Sequence, residues 1–288
     1  MMNKRVVWVS LCLGSFLLLV GSMFWGVQGT EGTDTWQYLP LVARPHPFPI
    51  IHYFQANVTI ADPGDTIELQ WGTENALQVT LYHLLPSGQF GTFWDVTGTG
   101  TMTYTINTST RNFERFMLFA TNAVTQTASA MLTIPLTCPD TWFFSPHPDI
   151  CPAYAAIVSP GAEQTFEHGV MLWVGGQDRI YVLFDDSHYP KWASFTDEWD
   201  EGEPEYDPTI TPPSGYYQPT RGFGLLWREQ PGMRDRLGWA TTTESGYTTA
   251  IQWTSYSRYN DTFIRAADGN VWRLLPEFSG WEKVIVEP

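Results

Sequence analysis

Positive charge is scarce in this chain. Its 288 residues hold 15 Lys and Arg against 30 Asp and Glu, a formal net charge of −15. No basic run follows Arg5. A surface this acidic repels phosphate backbones and anionic lipid headgroups, so nucleic acid is excluded as a partner. Cysteine is nearly missing: Cys12 lies in an apolar run, which leaves Cys138 and Cys151. With no CxxC spacing and no further Cys, a thiolate metal site has no ligand set, and no metal is expected. GxSxG, HExxH, GxxxxGK and GxGxxG do not occur. Their absence removes the hydrolase elbow, the zinc helix, the phosphate loop and the dinucleotide fingerprint, so neither a cofactor nor a catalytic residue is expected. Helical periodicity is also rare. A single short turn around Pro160–Phe166 is the one helical piece expected.

What is present begins with a compartment signal. Lys4 and Arg5 precede an uncharged run of 22 residues, Val6–Val27. Two readings stay open for residues 1–29. A signal peptide needs a basic start, an apolar stretch and small residues before the cut, which Val27-Gln28-Gly29 can supply. A membrane anchor needs roughly 20 apolar residues, and the run is long enough. Either reading leaves the positive flank in the cytoplasm and the body outside, secreted or at the cell surface. The membrane is then met only through residues 6–27. "VSLC" lacks the small residue that normally precedes a lipidated cysteine. Outside the cell, an even pair of cysteines suits one disulfide, Cys138–Cys151. Residues 30–50 are rich in Pro, Thr and Gly and read as a linker stiffened at Pro45, Pro47 and Pro49.

Residues 51–137 alternate short apolar segments with turn signals. "TIELQW" places Ile67, Leu69 and Trp71 on one face. Seven strands in so short a span, with no helical period, match the arithmetic of an immunoglobulin-like sandwich. "PGDTIELQW" and "FMLFATNAVTQTASAMLTI" resemble the bacterial immunoglobulin-like domains of exported proteins. That resemblance implies a spacer or adhesive module without catalytic residues. No Cys falls in the span, so Trp71 is expected to plug the core.

Residues 138–288 hold nine of the 14 Trp and 22 of the 30 acids. "GVMLWV", "RIYVLFD", "RGFGLLW", "TAIQWTSYS", "DTFIRAA" and "NVWRLLP" read as strands, and Asp268-Gly269 as a hairpin turn. A phrase recurs: glycine, apolar residues, tryptophan, ending at Trp173, Trp227 and Trp272. It predicts one hairpin-sized unit used three times, with these indoles in the core. "QTFEHGVMLW" and "RLGWATTTE", with Leu237, Gly238, Trp239 and Glu244, weakly resemble the LGFP repeat of cell-wall-associated proteins. Ala240 stands where that repeat has proline, and the units are longer. The resemblance implies attachment to envelope polysaccharide. The fold expected overall is all-β: signal or anchor, sandwich, then a Trp-rich antiparallel domain with repeat-like hairpins.

Residues 195–219 are acidic and Pro-rich and read as a long loop. Asp197, Glu198, Asp200, Glu201, Glu203, Glu205 and Asp207 have the oxygen density for Ca²⁺, but Trp199 breaks the EF-hand spacing, and a solvated loop is the blander reading. Glu167 with Asp185 offers a carboxylate pair of the sort glycosidases use, and any acidic chain offers such pairs by chance. His168 and His188 complete no metal site. Trp192, Trp199, Tyr216 and Tyr217 are the better lead, because large rings in polar loops have no folding role there. They are the expected ligand-binding residues. The reading favours a non-catalytic module for envelope polysaccharide, with a protein-binding or structural surface protein, or a glycoside-acting enzyme, as alternatives. An enzyme should show a cleft with paired carboxylates of raised pKa; a binder should show an open aromatic platform.

Overall fold

The computed structural model describes residues 46–287. The signal or anchor segment and most of the linker lie outside the described residues. Seven strands come first: β1 (Ile50–Ala56), β2 (Thr66–Glu74), β3 (Gln78–Leu84), β4 (Phe90–Val96), β5 (Thr99–Thr105), β6 (Phe113–Thr121) and β7 (Thr127–Pro135). They form two antiparallel sheets, ordered β1-β2-β5 and β4-β3-β6-β7. Alternation decides what faces inward. Ile67, Leu69 and Trp71 of β2 meet Phe116, Leu118 and Ala120 of β6 in one buried cluster. Trp71 is 2% exposed, and its indole N–H donates to the Thr97 carbonyl at 2.8 Å. The core plug expected from sequence is in place.

Cys138 and Cys151 are bridged, with Cα atoms 5.3 Å apart. The segment they close is held on both sides. Asn112, at the end of the sandwich, accepts from the Cys151 N–H at 2.8 Å and donates to Ser255 Oγ at 3.0 Å. Gln252 donates to the carbonyls of Thr141 and Tyr154. Buried polar groups satisfied this way fix the crossing from one part of the molecule to the next.

The remaining strands are β8 (Ile157–Phe166), β9 (Gly169–Val174), β10 (Arg179–Phe184), β11 (Trp192–Thr196), β12 (Ser245–Trp253), β13 (Thr262–Arg265), β14 (Val271–Leu274) and β15 (Trp281–Val284). They make one antiparallel sheet, ordered β11-β10-β9-β8-β12-β13-β14-β15. One face rolls around a shared core: Leu172, Val174 and Leu183 pack with Ile251, Ile264, Trp272 and Leu274 from the far half. The two ends of the sheet meet there. Trp192 N–H donates to Leu275 C=O at 2.8 Å, and Trp281 N–H to Phe184 C=O at 3.0 Å. The other face of β8–β10 is covered by α1 (Arg221–Glu229) and α2 (Met233–Leu237) through Phe223, Trp227, Met233 and Leu237.

Three expectations need correction. "GFGLLW" is helix α1, not a strand. Phe223 and Trp227 stand four residues apart, so a helix buries both on one side. Its two glycines lower intrinsic helicity, and packing against the sheet overrides that. Pro160–Phe166, expected as a helical turn, lies in β8 and pairs with β12 from Ile157↔Ile251 to Glu163↔Ser245. The glycine–tryptophan phrase is therefore no repeat: Trp173 is on β9, Trp227 on α1 and Trp272 on β14. Its glycines answer to different constraints. A Cβ on Gly169 would drive into the Leu183 carbonyl across the hairpin, whereas Gly269 sits in the β13–β14 turn beside Asp268.

Candidate functional site

A cleft of about 280 Å³ opens beside α1 and the ends of β9 and β10. Trp173 supplies one wall from β9, next to Ala162 across the β8–β9 ladder and Ile180 across the β9–β10 ladder. Trp199 supplies another from the loop after β11. Phe223 closes part of the remaining wall from α1 and is itself buried. Polar groups come from four places: Asp178 in the β9–β10 turn, Asp197 just after β11, Arg221 at the start of α1, and Glu244 just before β12.

Local geometry fixes these groups. The Asp197 N–H donates to the Asp178 carbonyl at 3.1 Å, tying the two acids together. The Asp197 carboxylate accepts from the Trp199 backbone N–H at 3.3 Å. It also lies over Gly222, where any Cβ would collide with it. Glycine is required at the second position of α1 because the carboxylate needs the space. Arg221 turns its guanidinium to Glu205, 3.3 Å away, about 6.0 Å above the Trp199 ring.

Two carboxylates here are held above their ordinary pKa. Burial raises Asp197, Asp178 and Asp200 add like-charge repulsion, and the Trp199 N–H works against both. Burial likewise raises Glu244; Arg221 opposes it, and Asp197 and Glu205 reinforce it. Desolvation favours the neutral acid, and neighbouring carboxylates favour it further. Elsewhere the molecule pairs its acids: Asp186 is drawn down to about 2 by Arg236.

The indole nitrogens separate the tryptophans by role. Those of Trp71, Trp142, Trp192, Trp227 and Trp281 all donate to a backbone carbonyl. Among the described residues, only Trp173 and Trp199 have an indole N–H buried without a protein acceptor, and both line the cleft. A buried donor left unpaired costs about 1–3 kcal/mol, so two of them on side chains that line one cleft set this region apart from the rest of the fold.

Of the four aromatic residues singled out from sequence, the cleft contains Trp199 alone. Trp192 is not in a loop. It begins β11, packs on Phe278 at 4.6 Å and helps seal the rolled core. Tyr216 reaches Glu167, which raises the tyrosine's pKa by accepting its hydroxyl. Glu167 also accepts the Trp239 N–H at 2.8 Å. Tyr217 is exposed, and its backbone pairs with Ala240. Neither Glu167 nor Asp185 lines the cleft. No group of three or more potential metal ligands occurs among the described residues. Trp173, expected among the core indoles of the glycine–tryptophan phrase, is instead partly exposed and lines the cleft; Asp178 and Arg221 were passed over, and Glu244 was noted only through the repeat-like phrase. A signal existed: Asp197 and Trp199 share the one segment that is both acidic and aromatic.

An aromatic surface also exists, on the outer face of the four-stranded sheet. Tyr82 packs on Phe90, Phe93 and Phe119 with centroids 4.9, 5.7 and 5.7 Å away. Its rings are tilted by 36° to 86°, so they present no common plane for a flat ligand. Comparison of the chain with family models, curated proteins and solved structures found no match.

Proposed function

We propose that this chain is an exported binding module that takes a saccharide of the cell envelope into the Trp173–Trp199 cleft. The observation that carries the reading is a pair of indoles, Trp173 and Trp199, set beside carboxylates in one concave site. Sugars offer apolar C–H faces for rings and hydroxyls that both give and accept hydrogen bonds. A mostly apolar pocket with a few converging polar groups is the usual form of such a site. The N-terminal basic and apolar run supports export, and the resemblance to LGFP repeats supports a polysaccharide ligand. The β1–β7 sandwich, read as immunoglobulin-like, then serves as the spacer that holds the cleft away from the surface. A protein partner is the other ligand class; the small volume of the cleft favours a sugar over a protein face.

Pull-down on purified envelope polysaccharide tests this. Trp199→Ala should weaken retention at least tenfold, and Tyr216→Ala with Tyr217→Ala should leave it unchanged. Equal retention by the Trp199 variant ends the reading. Two raised carboxylates in one cleft favour a second reading, acid–base cleavage of a glycosidic bond. Release of reducing ends by the wild type, abolished in both Asp197→Asn and Glu244→Gln, would convert binder into enzyme.

A further inference from the structure

We infer that the cleft selects a saccharide with a free amino group, an amino sugar whose nitrogen is not acylated, and holds its ammonium between Asp178, Asp197 and Glu244. The inference rests on the saccharide reading above and adds the charge of the ligand.

The lining is unbalanced in charge. Three carboxylates face one guanidinium, and Arg221 is already engaged by Glu205. Asp200 and Glu205 add negative charge close by, as their effects on Asp197 and Glu244 show. An anionic sugar would be repelled, and a neutral one would leave the carboxylates without a counter-charge. An ammonium supplies what they lack. Among the described residues, the Glu244 and Asp178 side chains accept no hydrogen bond, and Asp197 has a single donor at 3.3 Å. Elsewhere the chain equips its acids with arginine: Arg236 grips Asp186 at 2.8 Å and Arg273 grips Asp261 at 2.6 Å. Asp197 and Glu244 are partly buried, and among the described residues neither has an arginine or lysine bridge. The walls fit the same ligand, because indole faces attract an ammonium and also stack on the C–H face of a pyranose. One amino sugar answers the carboxylates and the rings together.

The test uses the full chain and two β-1,4-linked oligosaccharides of equal length, one of glucosamine and one of N-acetylglucosamine. Binding is read by calorimetry and tryptophan fluorescence at pH 6 and physiological salt, with spermidine as a non-sugar cation. The glucosamine oligomer should bind at least tenfold more tightly than its acetylated twin and more tightly than spermidine. Asp197→Asn with Glu244→Gln should bring the two sugars within twofold. Glu244→Gln alone should fall between, and circular dichroism should show both variants folded. Affinity should climb as pH rises from about 4 and Asp197 and Glu244 ionise, because a cation binds the ionised form. Asp178, Asp200, Glu205 and Arg221 are the other charged groups facing the site. Equal binding of both sugars overturns the charge inference and leaves the saccharide reading standing. A preference that persists in the double variant overturns it too, assigning the affinity to overall charge. If neither sugar binds, reading and inference fall together.

Discussion

The core of the sandwich and the cleft of the rolled sheet treat tryptophan in opposite ways. In the sandwich, Trp71 lies between two sheets with its ring buried and its N–H bonded to Thr97. In the rolled sheet, Trp173 is held on a regular strand and Trp199 on a loop, and each leaves its N–H without an acceptor. The first arrangement lowers the free energy of the folded state through both apolar burial and hydrogen bonding. The second gives up the hydrogen bond. Carboxylates follow the same division. Glu114 is buried in the sandwich yet bonded to His83 and Thr110, whereas Asp197 and Glu244 are desolvated beside one another. Groups kept against the interest of stability are a mark of candidate functional sites.

The comparison can be broken at its strongest point first. Trp71→Ala should destabilise the protein by about 3–5 kcal/mol, as expected when a large core ring is removed, read from denaturant unfolding. A loss below 1 kcal/mol would mean that Trp71 does not organise the sandwich. Replacing Cys138 and Cys151 by Ser should cost roughly 3 kcal/mol on the chain-entropy account of a loop this short. Thiol titration of the unreduced, unfolded protein should find neither cysteine free.

Smaller effects of the opposite sign are expected in the cleft. Asp197 and Glu244 have raised pKa values in the folded state, so they bind protons more tightly there than in the unfolded chain. Their contribution favours folding at low pH and is lost as pH rises through the raised range. Asp197→Asn and Glu244→Gln should therefore raise the melting temperature at pH 7 to 8, each by no more than about 2 kcal/mol of stability, and leave it little changed near pH 3. A lower melting temperature at neutral pH would show that these acids support the fold. Smallest of all, Trp199→Ala should change stability by about 0.5 kcal/mol or less, as a loop substitution outside the core does, while ligand binding is lost. Unfolding of that variant would place Trp199 in the core and end the contrast.

Legibility in the sequence followed the same line between the two regions. The sandwich could be read strand by strand because alternation at Ile67, Leu69 and Trp71 is a local consequence of the pleat. The rolled sheet was half legible. β9, β10, β13 and β14 announce themselves as apolar runs, but β8 is broken by Pro160 and Gly161, and β11 and β15 are short and mix polar with apolar residues. Helix α1 was misread because six apolar or glycine residues in a row give strand and helix the same appearance.

By itself the sequence determined the acidic charge, the predominantly β character, the disulfide and the burial of Trp71, since each depends on composition or on neighbours close in the chain. Only the tertiary structure decided the cleft. Trp173, Asp178, Asp197, Trp199, Arg221 and Glu244 lie on separate elements across some seventy residues of chain, and no spacing joins them. They meet because β8–β10 must cover one apolar face, and α1 lies over that face through Phe223 and Trp227. Gly222 lets the helix approach the Asp197 carboxylate. Burial against a helix placed by long-range packing sets both the shape of the site and the protonation of its acids, and neither is written in any local stretch of the chain.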